Sequence, residues 1–419
     1  MATTTAPLGQ DFRRMWVAGT TSSFGTAVST LALPLVAVST LHASTFQVGL
    51  LDAAGTVAWL AIGLQAGVWV EGLRRRPLLI GCDLIRAVLL LSIPLAAVGG
   101  VLSLAQLIVV ALGMGMIAVV YGVARQTYLP FLVSREQLVA ANGRSDSAQT
   151  AASAGGQLLG GVLVTAIGAA TAVLIDVGSY LVSAWLMARI GVREPAPEQA
   201  GKRGVTWDRL TAGLRYVLRD PVIRPLTFTV AAVNAAGAAL SALLVPYLVH
   251  DVGASATVIG LIMALSYVGG FLGATVSGRL VRVAGPVTTL FAVVIITPLF
   301  ELLVPVTTGP LATALVSLGL TVGCAGGSVL SIVTRSHRQA SVPREFLARV
   351  SGSIRFITWG VLPIGALAGG ALGTVLGNRP ALWVVCGVAL AGGLPLGLAL
   401  AARGRGFLAE LRGPSEEAR

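Results

Sequence analysis

Three carboxylates lie inside long apolar stretches of this 419-residue chain: Asp52, Asp176 and Glu301. A charged side chain at the centre of a membrane helix costs about 3 kcal/mol, so an acid kept there has a task, and proton binding is the chemistry it suits. Each lies one to two helical turns from the end of its stretch that faces the extracellular side, where it can meet external protons. Other chemistries find no support. His42, His250 and His337 are scattered, with no HExxH pattern and no His/Asp cluster, which argues against a membrane-embedded enzyme. Cys82, Cys324 and Cys386 lie in three different stretches without CxxC or Cys/His spacing, so they read as small packing residues, and no metal or redox centre is expected. The Gly-x-x-x-x-Gly-Lys-[Ser/Thr] loop is absent and Lys202 is the only lysine, which speaks against direct ATP drive. No cofactor is expected.

The elements that must position these acids are membrane spans, since roughly 20 mainly apolar residues are needed to cross the hydrocarbon core. Twelve stretches qualify: 16–41, 46–70, 77–98, 102–124, 146–167 and 171–190, then 222–249, 256–278, 286–306, 311–333, 353–376 and 381–402. The sequence thus predicts an all-α integral membrane protein. Of the 29 Lys and Arg residues, all but Arg379 are assigned to one side, from Arg13 and Arg14 at the start to Arg403, Arg405, Arg412 and Arg419 at the end. The alternate connections, such as His42–Thr45 and Gly168–Ala170, carry none. By the positive-inside rule both termini are cytoplasmic, in the cell membrane. The first apolar run follows Arg13 and Arg14, is too long for a signal-peptide core and lacks a cleavage site, so it is expected to stay as an anchor. Only 11% of residues are charged and 55% are hydrophobic, too little polar surface for a soluble globule of this size. A net charge of +12 would otherwise suggest nucleic acid, but here it sits in short loops beside apolar stretches, so no nucleic-acid partner is expected.

The chain also repeats itself. Arg135-Glu136-Gln137-Leu138 recurs as Arg344-Glu345-Phe346-Leu347, an offset of 209, and the same offset carries Gly156, Gly160 and Gly161 onto Gly365, Gly369 and Gly370. Offsets of 212, 211 and 206 relate Pro34 to Pro246, Gly49 to Gly260, and Gly67 and Gly72 to Gly273 and Gly278. Six spans per half give both halves the same orientation, with a pseudo-twofold axis along the membrane normal and a cleft between halves. The predicted organisation is a six-helix half over 1–190, a linker over 191–220, a second six-helix half over 221–402 and a cytoplasmic tail over 403–419. Within the linker Trp207, Leu210, Leu214, Val217 and Leu218 share one helical face, with Arg209, Arg215 and Arg219 elsewhere. That pattern predicts a helix lying on the anionic cytoplasmic leaflet. In lipid, close helix approach depends on small side chains, so Gly156/Gly160/Gly161 and Gly365/Gly369/Gly370 read as packing faces.

These residues resemble a known family. Arg125-Gln126-Thr127-Tyr128-Leu129-Pro130 through Arg135-Glu136-Gln137-Leu138-Val139-Ala140-Ala141-Asn142 is similar to the loop between spans four and five in the major facilitator superfamily, in its branch of enterobactin exporters and macrolide efflux pumps. Leu174-Ile175-Asp176-Val177-Gly178-Ser179-Tyr180 resembles that branch's sixth span. The superfamily's Gly-x-x-x-Asp-Arg-x-Gly-Arg-Arg loop is recognisable from Gly67 to Arg76, with Glu71 for Asp, Gly72 for Arg and Arg74 for Gly. The antiporter motif of span five appears as Ala152, Gly156, Gln157, Gly160 and Gly161, without its proline. The mid-membrane Arg of many drug-proton antiporters is missing from span four, because nothing between Leu102 and Ala124 is charged.

The resemblance implies the twelve-helix major facilitator fold, with spans one, four, seven and ten around a cavity, two, five, eight and eleven beside it, and the others as scaffold. On that plan Asp52 is the proton site, and Asp176 and Glu301 are packing or capping groups. It implies gating by Gly67, Glu71, Arg74, Arg75 and Arg76, with Asp83, Arg125 and Arg355, and the repeat suggests that Glu71 meets Arg349 or Arg355 of the opposite half. The cavity candidates are Thr21, Phe24, Trp59, Met114, Asn234, Tyr267 and Trp359, a lining suited to a bulky amphipathic ligand. The function implied is proton-coupled efflux of a hydrophobic or amphipathic small molecule by alternating access, in a monomer whose partners are the bilayer, its substrate and protons. Uptake is the main alternative, and an enzyme or a channel fits less well.

Overall fold

The structure, a computed structural model, describes residues 9–63, 65–71, 73–134, 137–192, 194, 207–306, 309, 311–342, 344–394 and 396–397. Among these every regular element is helical. The first half contains α1 (Gln10–Leu35), α2 (Thr45–Ile62), α3 (Ala66–Glu71), α4 (Arg75–Val98), α5 (Leu104–Tyr128), α6 (Leu138–Ile167), α7 (Ala169–Ala172) and α8 (Leu174–Ala188). After α9 (Trp207–Arg219) come α10 (Ile223–Pro246), α11 (Ala256–Glu301), α12 (Ala312–Ser341), α13 (Arg344–Gly360), α14 (Leu362–Leu376) and α15 (Asn378–Ala391). Ten of the described helical stretches are long and apolar enough to cross a membrane, and α15 is a shorter apolar helix.

The expected spans map onto these helices with four differences. Spans eight and nine are joined in the 46-residue α11, which turns at Gly285 (φ 78°, ψ 159°), so the eighth runs on past residue 278. Span two breaks after Ile62, near Gly63 and the polar Gln65, and resumes as α3. Span eleven begins earlier, at Arg344, and is interrupted after Gly360, where Pro363 opens α14. Of the twelfth expected span, residues 398–402 lie outside the described residues, as does the expected tail.

Helix α4 shows which solvent this fold is built for. Ile85, Val88 and Leu95 are 54%, 69% and 64% exposed, while Asp83 and Arg86 on the opposite face are 0% and 6% exposed. A water-soluble helix does the reverse. Apolar side chains outside and charges inside place the polar groups away from lipid. Arg86 is therefore not part of the one-sided loop charge, as the sequence reading assigned it.

The repeat extends to backbone detail. Both α1 and α10 end in a widened π turn, at Val36–Thr40 and Tyr247–Asp251, just after Pro34 and Pro246. Proline removes a helical donor and crowds the turn before it, and in both halves the widened turn follows directly after. Each π turn closes with the same bonds: Ala43 N to Ala37 O and Ala254 N to Leu248 O, both 2.8 Å, with His42 and Gly253 at positive φ between them. Gly168 (φ 83°, ψ 153°) and Gly377 (φ 85°, ψ 159°) lead into α7 and α15, in a region open essentially only to glycine.

Two compact units form. The first comprises Met1–Ala43, Ala61–Arg203 and Ser255–Ala264, and the second Ser44–Leu60, Gly204–Ala254 and Leu265–Arg419. Most of α2 thus belongs with the second unit and the start of α11 with the first. In the first unit α1 lies along α6 and α8, and α4 along α8 and α5. In the second, α10 lies along α14 and α15.

The repeated glycines sit where backbones touch. A Cβ on Gly156 would lie 2.8 Å from the Ala27 Cβ, and one on Gly160 3.2 Å from the Val28 Cα, both on α1. Gly365 and Gly369 meet Ala235 and Ala239 of α10 in the same way. Gly161 abuts Ala256, Thr257 and Gly260 within the first unit, and Gly370 abuts Thr45, Phe46 and Gly49 within the second. Helix α9 forms as expected, and its C-terminal end packs on the protein. Its Val217 is fully buried with Val350 and Ile223, so the end of its apolar face is covered by α13 and α10. Asp220 then caps α10, its Oδ1 accepting from Val222 N at 2.9 Å and Ile223 N at 2.8 Å.

Candidate functional site

In the first unit several buried polar side chains of α4 and α8 form a file. Helix α4 carries Asp83 and Arg86 one turn apart, and α8 carries Asp176, Ser179, Tyr180 and Ser183 on the face it turns to α1 and α4. Ser183 Oγ donates to Asp83 Oδ2 at 2.6 Å, and Arg86 Nη1 lies 4.0 Å from Asp83 Oδ1. The Arg86 guanidinium sits 4.6 Å from the ring centre of Tyr121 and 5.4 Å from that of Tyr180, a cation held by aromatic faces in place of water. Tyr180 Oη and Thr26 Oγ1 on α1 are 2.8 Å apart. Asp176, fully buried, receives the Ser179 hydroxyl at 3.0 Å. A Cβ on Gly25 of α1 would lie 2.6 Å from Asp176 Oδ1, so glycine is what lets α1 come so close.

In the second unit the acids are more isolated. Asp52, half-buried on α2, has the Ser241 hydroxyl of α10 at 3.4 Å from its Oδ2. Glu301, also half-buried, lies against α12, where a Cβ on Gly323 would be 2.7 Å from Oε1. Neither acid forms an ion pair among the described residues. Trp59 and Trp359 stack edge to face, with centroids 4.5 Å apart, and the Arg355 guanidinium is 6.0 Å from the Trp59 ring. Asn234 Nδ2 donates to the Thr358 carbonyl at 2.7 Å. The structure therefore brings together Trp59, Trp359, Arg355 and the Asn234–Thr358 bond on one unit, which also holds Tyr267. Thr21, Phe24 and Met114, all half-buried, belong to the other.

The expected gating residues separate into distinct roles. Arg75 and Arg76 open α4, and their backbone amides donate to Glu194 Oε2 and Oε1 at 2.7 and 2.6 Å, a cap at the positive end of the helix dipole. Arg76 also binds the carbonyls of Met187 and Ala188. Arg74 is exposed. Arg125 packs on α1, its Nη2 lying 3.0 Å from where a Gly19 Cβ would be. Asp83 belongs to the buried file and not to the loop. Gly67 and Glu71 fall in α3, but their side-chain environment lies outside the described residues, as do those of Gly72 and Arg349. Sequence reasoning missed Arg86, Glu194 and Ser241. Arg86 had a visible signal, an arginine three residues after an acid in an apolar run. The other two are recognisable only once distant segments meet.

Comparison with known proteins places this geometry. Residues 15–358 match the model of the Major Facilitator Superfamily. The chain is 25% identical over 371 residues to the multidrug efflux pump Tap of Mycolicibacterium fortuitum, covering 86% of this chain and 88% of that protein. Among solved structures it is similar to the nucleoside transporter NupG, with a TM-score of 0.77 at 10% identity over 94% of this chain and 99% of that one. It is also similar to a bacterial homologue of the iron transporter ferroportin, in its inward-facing state, with a TM-score of 0.75 at 16% identity over 94% and 99%. At these identities the structures speak for the fold alone.

Proposed function

Since this chain belongs to the Major Facilitator Superfamily and is a multi-pass membrane transporter, not an enzyme, we propose that it exports a hydrophobic or amphipathic small molecule in exchange for protons. The observation that carries the coupling is Asp52, a half-buried carboxylate with a single hydroxyl partner and no ion pair among the described residues. Such a group can take up a proton without breaking a salt bridge, and the nearby Trp59–Trp359 pair offers broad apolar faces to a ligand. The likeness to Tap supports the outward direction and a drug-like cargo. The loop and sixth-span motifs favour the enterobactin and macrolide exporter branch, working as a monomer in the cell membrane with twelve spans, both termini cytoplasmic and the two six-helix halves joined by residues 191–220. Inward proton movement supplies about 2.3 kcal/mol per 100 mV of membrane potential.

The test is Asp52→Asn in a strain without its own pumps, with accumulation of macrolides and siderophores followed at several external pH values. Export should lose its pH dependence while the protein remains folded in the membrane. Wild-type export with wild-type pH dependence would remove Asp52 from the mechanism.

A further inference from the structure

Helices α4 and α8 bring three ionisable side chains into the interior of the first unit, and their charges would not cancel if all three were ionised. Asp83 and Asp176 are both 0% exposed and Arg86 is 6% exposed. Asp83 has the Ser183 hydroxyl and the Arg86 guanidinium. Asp176 Oδ1 has only the Ser179 hydroxyl, and its Oδ2 accepts no hydrogen bond. The charged and titratable groups acting on Asp176 are Asp83 and Arg86 from α4 and Tyr180 from α8 itself, with Tyr121 of α5 beyond Arg86. Helix α1 brings the Ser29 hydroxyl to Asp176 and the Thr26 hydroxyl to Tyr180, and α7 carries no titratable residue. One guanidinium cannot neutralise two carboxylates, and an uncompensated buried charge is the costliest state this cluster could adopt.

We propose that the Asp83–Arg86–Asp176 file holds one proton, on Asp176, and is a second proton-binding site of the transporter, separate from Asp52. Asp83 is the ionised member, because its partners are a cation and a hydroxyl donor. Asp176 is the neutral one, because its neighbours within hydrogen-bond reach are hydroxyls and, among the described residues, it forms no ion pair. The Ser29 hydroxyl on α1 also faces the Asp176 carboxyl group, and a hydroxyl, which can both donate and accept, serves either protonation state. Asp176 thereby meets both α8 and α1. When the proton leaves to water, the O–H bond electrons remain on Asp176, the file carries one net negative charge, and Arg86 must be shared between two carboxylates on α4 and α8.

The role in coupling rests on the proton-driven reading above, but the presence of the proton does not, and two measurements keep them apart. The first is infrared spectroscopy of the full chain in lipid vesicles at neutral pH, reading the carbonyl stretch of protonated carboxyl groups and its shift in heavy water. Asp176→Asn should remove one component of that band, and Asp52→Asn should leave that component in place. Asp83→Asn should remove the same component although Asp176 is intact, since Arg86 is then free to hold Asp176 ionised, and a merely structural role would not produce that. Should Asp176→Asn fail to fold, Asp83→Asn carries the test alone. Loss of no component in either variant, or its persistence in Asp83→Asn, overturns the proposal. The second is export as a function of pH: unchanged pH dependence in Asp83→Asn overturns the coupling role. Wild-type export indifferent to pH would instead sink the proton-coupled reading, leaving the infrared result to decide the site.

Discussion

Replacing Gly161 by alanine tests the crossing of α6 with the start of α11. A Cβ at Gly161 would stand 2.5 Å from the Ala256 carbonyl oxygen, 3.0 Å from the Thr257 Cα and 3.1 Å from the Gly260 Cα. All three are backbone atoms, so no side chain can swing aside, and the helices must separate by several tenths of an ångström. Overpacking of this kind costs about 1 to 3 kcal/mol. Alanine also favours the helix by up to about 1 kcal/mol, but equally in every conformation in which α6 stays helical, so that gain cancels from the balance between states. If alternating access opens this crossing in one state, Gly161→Ala shifts the equilibrium towards that state by a factor of about 5 to 150. The assay is cross-linking in a background without native cysteines. Thr165 and Thr257, whose hydroxyls are 2.9 Å apart across the crossing, become a cysteine pair, and their cross-linking rate is compared with and without Gly161→Ala. The rate should fall and export should slow. Gly155→Ala on the same helix, where the nearest atom would be the Phe24 ring at 3.9 Å, should change neither. Wild-type cross-linking and export in Gly161→Ala would refute the reasoning.

The repeat-related crossing should respond alike: Gly49→Ala, whose Cβ would be 2.6 Å from the Ala366 carbonyl oxygen, should slow export with little loss of thermal stability. Arg86→Ala leaves the buried Asp83 carboxylate without its cation and should destabilise the protein by about 3 to 5 kcal/mol, read as a lowered melting temperature in detergent, with partial recovery when Asp83→Asn is added. For topology, Ser255→Cys should react with an impermeant maleimide from outside and Ser134→Cys should not. The opposite pattern would reverse the orientation.

The architecture was legible because its two strongest signals are one-dimensional. Apolar length marked the spans, and an offset near 210 residues marked the duplication, which reappears in the paired π turns and in Gly168 and Gly377. The glycines at 156, 160, 161, 365, 369 and 370 could be read in the same way, since in lipid their size is their function. The acids were legible only as positions. Asp176 and Asp83 are 93 residues apart in the chain, and nothing around Asp176 says that Arg86, one turn from Asp83, stands near it as well. Glu194, expected only as part of a linker, caps the helix that begins at Arg75, more than a hundred residues earlier. The linker helix was legible in part for the converse reason: amphipathicity shows that α9 has an apolar side, and only packing shows that Val217 at its end lies against α13.

The glycine connections bear on how the chain enters the bilayer. The Gly168 amide bonds back to the Val164 carbonyl while its own carbonyl accepts from Ala172, and Gly377 does the same with Gly373 and Ala381, so one residue ends a helix and begins its successor. A connection that short has no slack. The first member of each pair cannot cross and wait for the second, because its trailing end is already the leading end of the next span. On the proposed twelve-span topology, spans five and six, and likewise eleven and twelve, are expected to insert as hairpins, and a flexible segment spliced in at Gly168 should let the two members of the first pair insert separately.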